Sequence, residues 1–304
     1  MGSPRGRHHL TTLAAVALTA MASLPAVTGW SAAPASATVG ATSHFIWTTT
    51  PSNTTGFLTV INNGATNGLP KAMLFVTQND TPGGVCGCVV DQVPIGITYG
   101  GGRWLIFNED LSTNMPIGAS FNVLVVQHAN ADVFVQTATT TNTVGDSTSI
   151  TSTATDGKPK ALLQVTQRST GGSQSVNNNR SVGVTFANNK AAIFNEDTSP
   201  MPVGAEFNVM VGASKSNGGA LYLQQTVFGS GSDSTISNSH TTGNPNAVIF
   251  VTPNFDAAYL GGVFDAAPSG VTYVAGPTDK WAVSNQDGSA MGNGPAFNLL
   301  MFSS

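Results

Sequence analysis

Three stretches of this chain place a basic residue, a hydrophobic run and an Asn-Glu-Asp or Asn-Gln-Asp turn in the same order. They are Arg103-Trp104-Leu105-Ile106-Phe107-Asn108-Glu109-Asp110, Lys190-Ala191-Ala192-Ile193-Phe194-Asn195-Glu196-Asp197 and Lys280-Trp281-Ala282-Val283-Ser284-Asn285-Gln286-Asp287. The carboxylate oxygens of Asp110, Asp197 and Asp287 and the amide oxygens of the neighbouring Asn residues are hard ligands of the kind calcium takes. One such turn supplies about half of the roughly six oxygens calcium needs, and no D-x-D-x-D-G loop is present. The competing reading is that Asn and Asp side chains close the turn on their own backbone. The basic residue five positions earlier (Arg103, Lys190 or Lys280) is placed to pair with a neighbouring acid. Trp104 and Trp281 follow it, and Tyr99 and Tyr273 end the preceding strand. Exposed, such rings beside Asp and Asn form a sugar-binding face, where the ring stacks and polar groups orient the ligand. Buried, they close one end of a β-sandwich, and Trp104 shares a strand face with Ile106. Both readings stay open in the sequence. Trp47 is isolated and carries no reading.

Catalytic chemistry is poorly supplied. The histidines after the leader are His44, His128 and His240, which fall at different places in the repeat. No unit therefore repeats a Ser-His-Asp or His-metal set. Glu109 and Asp110 are neighbours and, on a strand, point to opposite faces, unlike the paired carboxylates of a glycosidase. The expectation is a non-enzymatic protein with no cofactor and no metal. Cys86 and Cys88 flank Gly87. They read as a small local disulfide or an intermolecular link, with a redox or metal pair as the alternative.

The elements that position these residues repeat too. Asn108, Asn195 and Asn285 lie 87 and 90 positions apart. Downstream, Met115, Met201 and Met291 recur, then Phe121-Asn122, Phe207-Asn208 and Phe297-Asn298. Upstream, Pro70 to Thr77 matches Pro159 to Thr166 and Pro245 to Thr252. In these segments Leu74, Val76 and their counterparts Leu163, Val165 and Ile249, Val251 share one face, while Met73, Phe75 and Gln164 share the other. That alternation predicts half-buried strands with the constant face toward the core. Gly100-Gly101-Gly102 and Ala187-Asn188-Asn189 supply hairpin turns. The fold class is therefore all-β, with three tandem small sandwich or barrel units of about six strands each. Residues 38–129, 130–216 and 217–304 delimit the units. Three beads in a row is the favoured arrangement, and one pseudo-threefold assembly sharing a core is the alternative.

Residues 1–37 read as a secretory signal peptide. Arg5 and Arg7 precede an apolar stretch from Leu10 to Met21, and Ala35-Ser36-Ala37 forms a small-x-small cleavage site. The apolar run falls short of the ~20 residues of a membrane span. The expectation is a secreted, extracellular protein with no membrane span after processing. Of the 304 residues, only 9% are charged, against about 25% in a usual globular chain. The formal charge is −4 and becomes −6 once the two leader arginines are gone. That balance excludes a basic nucleic-acid binder and a coiled coil.

Gly243-Asn244-Pro245-Asn246-Ala247 through Phe250-Val251-Thr252-Pro253-Asn254, with Gly270-Val271, Lys280-Trp281-Ala282, Asn285-Gln286-Asp287 and Ala296-Phe297-Asn298, resemble an uncharacterised tandem-repeat domain of secreted bacterial proteins. The resemblance covers the chain after the leader and implies a secreted β-domain. It carries over no catalytic residues. The leading functional expectation is an extracellular binding or adhesion module for a glycan or cell-wall ligand, with linked sites gaining avidity. A structural or coat-like role is the alternative, and a secreted hydrolase the least favoured.

Overall fold

The computed structural model describes residues 42–169, 176–212, 220–228, 231–255, 262–277 and 279–303. The signal-peptide expectation and part of the second unit boundary lie outside them. Unit 1 holds β1 (Thr42–Thr48), β2 (Thr54–Thr55), β3 (Leu58–Val60), β4 (Met73–Asn79), β5 (Ile95–Gly100), β6 (Arg103–Asn108) and β7 (Ser120–Val126). Unit 2 repeats the plan with β8 (Val133–Thr137), β9 (Thr143–Val144), β10 (Ser147–Ser149), β11 (Leu162–Ser169), β12 (Val182–Ala187), β13 (Lys190–Asn195) and β14 (Glu206–Gly212). Unit 3 holds β15 (Ala220–Phe228), β16 (Asp233–Thr235), β17 (Val248–Pro253), β18 (Ser269–Val274), β19 (Lys280–Asn285) and β20 (Asn293–Phe302). No α-helix occurs among the described residues.

Each unit is a two-sheet sandwich, and none closes into a barrel. In unit 1 the antiparallel trio β1-β7-β4 faces the β2-β3-β6-β5 sheet. Leu74, Val76, Phe121, Val123 and Val125 from the first meet Ile97, Trp104 and Ile106 from the second in one buried cluster. Units 2 and 3 build matching clusters around Phe207 and Ile193, and around Phe297 and Trp281. The β5–β6 hairpin turns on Gly101 and Gly102 (φ 60° and 80°), and β12–β13 turns on Asn188 and Asn189 (φ 51° and 65°). Two successive positive φ values give the turn whose twist suits a two-residue hairpin.

The row of separate beads is corrected by the structure. The described residues, all between 42 and 303, belong to one compact body. The trio sheet of each unit continues into the second sheet of a neighbour by a parallel contact. β4 pairs β18, β11 pairs β5, and Asn254 at the end of β17 bridges Val184 of β12. The three contacts run from unit 1 to 3, from 2 to 1 and from 3 to 2, so the ring closes. The half-buried strand expectation changes with it. The constant face of β4 does line its own sandwich core. The other face is buried as well, because Met73, Phe75, Met210, Val248, Phe250, Leu300 and Phe302 from all three units form a shared central core.

Candidate functional site

The sequence-predicted aromatic residues do not form an exposed platform. Trp104 and Trp281 are each 0% exposed. Their indole N–H groups donate to the carbonyls of Leu69 and Asn244, at 2.9 Å each. Tyr99 and Tyr273 stack edge-on against them at centroid distances of 5.4 and 5.5 Å. These pairs close one end of the sandwich. The sugar-face reading of Trp104 and Trp281 is corrected to a packing role, since a ring with no exposed surface cannot stack on a ligand. Tyr273 is buried beside Trp281, and Tyr99 is half-buried against Trp104.

The Asn-Glu-Asp and Asn-Gln-Asp turns also resolve. Asp110 accepts from the N–H groups of Ser112 and Thr113, Asp197 from Ser199, and Asp287 from Ser289, at 2.9–3.1 Å. Burial raises the Asp110 carboxyl, but the bonds from Thr113 and Ser112 outweigh it and hold the pKa below the ordinary value. Asp197 behaves alike and pairs with Arg180 at 2.8 Å. These three aspartates close their own turns, and among the described residues no cluster of His, Cys, Asp or Glu assembles a metal site. The Cys86 and Cys88 sulfurs are joined to each other.

The middle residue of that turn does something the sequence reading missed. Glu109 and Glu196 are 3% and 2% exposed, and Gln286 is 2% exposed. Glu109 accepts from the Asn178 N–H of unit 2 at 3.2 Å, and Glu196 from the Asp265 N–H of unit 3 at 3.1 Å. Gln286 donates to Asp80 of unit 1 at 3.1 Å. Each unit thus reaches across one seam of the ring. Gly96, Gly183 and Gly270 make the room, since a Cβ at any of them would collide with Glu109, Glu196 or Gln286. With little solvent and few donors, Glu109 and Glu196 are both pushed up by burial to about 8.

Two further rings encircle the pseudo-threefold axis. The N–H groups of Val76, Val165 and Val251 donate to the hydroxyls of Thr166, Thr252 and Thr77, all at 3.0 Å. The amides of Asn122, Asn208 and Asn298 donate to the carbonyls of Ile249, Leu74 and Leu163 at 2.9–3.0 Å. On the axis lies a cavity of about 80 Å³ lined by equivalent residues of all three units. Gln167 Oε1, Ser181 Oγ and Ser269 Oγ line it without a protein partner, so it suits a few ordered waters.

A cleft of about 550 Å³ in unit 1 is lined by Trp47, Ser52, Thr55, Val60, Asn62 and Arg103 among others. That volume lies in the range of small-ligand sites. Trp47 is half-buried on β1, packs against the unit 1 core, and donates its ring N–H to Thr59 at 3.0 Å. Strand register equates Trp47 with Gln136 of β8 and Gln225 of β15, which lie opposite Phe121, Phe207 and Phe297. Gln136 makes the equivalent bond, from its amide to Thr148. Trp47 therefore keeps the polar role of the glutamine and adds an aromatic ring. Its isolation in the sequence is the signal: an aromatic where the repeat otherwise has an amide.

A family model described as Domain of unknown function (DUF7452) matches the chain three times, over residues 34–125, 111–211 and 216–301. No curated protein and no solved structure matches it.

Proposed function

The chain belongs to the family of that domain of unknown function, and from its own geometry we propose a secreted, non-enzymatic binding protein. Its pseudo-threefold body presents a saccharide-sized cleft in unit 1. The observation that carries this reading is the Trp47 cleft, where an aromatic ring stands among Ser52, Thr55 and Asn62. Sugars are bound by such sets because C–H faces stack on a ring while hydroxyls bond to short polar side chains. Among the described residues the lining holds no carboxylate and no histidine, which supports binding over hydrolysis. The reading places the binding site in unit 1, where the described residues form this cleft.

The test is a glycan array with the mature protein and with Trp47→Gln. That substitution installs the residue unit 2 uses, so the bond to Thr59 can be kept while the ring is lost. The expected result is saccharide binding by the parent, lost in the variant, with a lowered melting temperature from the lost ring packing but a variant still folded at the assay temperature. Binding unchanged by Trp47→Gln, or no binding by the parent, would overturn it. A structural or coat-like role is the second reading, favoured by the closed ring of inter-unit bonds. An array with no bound saccharide would leave that role standing.

A further inference from the structure

The basic residue that opens the β6 strand differs between units in what it touches. In unit 2, Lys190 Nζ donates to the Thr151 hydroxyl at 2.8 Å. In unit 3, Lys280 Nζ donates to the Ser237 hydroxyl at 3.3 Å. Thr151 and Ser237 each follow the buried isoleucine of their unit (Ile150 and Ile236), as Asn62 follows Ile61. Unit 1 breaks this tether. Asn62 Oδ1 accepts instead from the Asn67 amide at 2.9 Å. Among the described residues the Arg103 guanidinium has neither a hydrogen-bond acceptor nor an acid partner, which corrects the expected pairing with a neighbouring acid. The released side chain lines the same cleft as Trp47.

Two independent departures of unit 1 from its sister units thus converge on one site, an added ring and an untethered guanidinium. A guanidinium presents donors in a planar fork that fits the two oxygens of an anionic group. We infer that the cleft takes a saccharide bearing an anionic substituent, a carboxylate or a sulfate ester, with the sugar face on Trp47 and the anion on Arg103. This rests on the reading of the cleft as a saccharide site and names its ligand class.

The test is calorimetric titration of the mature protein with three probes: an oligogalacturonate, its methyl-esterified form, and a sulfated oligosaccharide of similar length. Each is run against the parent, Arg103→Gln and Trp47→Gln. One charge-assisted pair corresponds to roughly 10-fold to 100-fold in affinity. The expected result is binding of the uronate or the sulfated probe, weakened by about that factor in Arg103→Gln. For a uronate ligand, esterification weakens binding equally, and the uronate and sulfate arms identify the anion. Equal affinity for the ester and the acid, without preference for the sulfated probe, overturns the inference. So does binding of either anionic probe unaffected by Arg103→Gln. If saccharides still bind in a Trp47-dependent way in those cases, the broader reading survives and only the anion selection falls. If no saccharide of any charge binds, both fall.

Discussion

Asn122 shows how a single polar side chain can hold two units together. It is fully buried, donates to the Ile249 carbonyl of unit 3 and accepts from the Asn79 amide at 2.8 Å. Asn122→Ala would leave the carbonyl and that amide without these bonds in a water-poor interior. Each such group costs about 1–3 kcal/mol, so a loss of about 2–4 kcal/mol is expected in urea denaturation. A loss under 1 kcal/mol would mean that the seam is wet or slack. The recurrence of Asn122, Asn208 and Asn298 was plain in the sequence, but their role was not. Period and burial are local signals, whereas the partner carbonyls lie in another unit, more than 120 residues away in chain position. The tryptophans misled for a related reason. Composition alone cannot tell an exposed Trp-Tyr pair from one that closes a sandwich, and only burial decides.

At the scale of the element, the turn after each β6-type strand is a latch. Its outer Asp closes the turn, and its middle residue crosses the seam. Glu109 and Glu196 have pKa values pushed up to about 8 from an ordinary 4.5 because burial disfavours the charge. The folded state therefore binds their protons more tightly than the unfolded chain does. Stability then falls as pH rises toward 8, because ionisation is favoured in the unfolded chain. His44, whose pKa burial lowers, opposes this only below about its ordinary 6.5. Above about pH 6.5 His44 drops out, and the Asp91 carboxyl, pushed up by burial to about 7, adds a fall of the same sign. The latches are therefore read from the difference between the parent and the double variant Glu109→Gln/Glu196→Gln over about pH 6.5 to 8.5. A melting temperature that falls across that window is expected, with a smaller slope in the double variant, which copies the amide already present at Gln286. Equal slopes in the parent and the double variant would show the latches to be ionised and solvated. The strands and hairpins of these elements were legible from alternation and from the Gly and Asn turns. The latch was not, because Gly96, Gly183 and Gly270 look like ordinary strand glycines until the side chains they accommodate are in place.

For the whole molecule, the sequence made the threefold repetition evident but favoured independent beads. What it hid was the second buried face of β4 and its counterparts. Met73 and Phe75 against Leu162 and Gln164 look too uneven for a core face, yet Gln164 is buried and donates to the Asn298 carbonyl of unit 3 at 2.9 Å. A glutamine can sit there because the neighbouring unit supplies its partner. Three units so joined have no reason to unfold separately, since removing any one exposes the shared core of the other two. A rigid closed body also explains how one unit can depart from the pattern at Trp47 and Arg103 while the others hold the frame. The most direct measurement is differential scanning calorimetry of residues 38–304. A single transition with a calorimetric to van't Hoff enthalpy ratio of about one is expected for one cooperative unit. A ratio near about three, or three resolved transitions, would mean independent beads and contradict the closed ring.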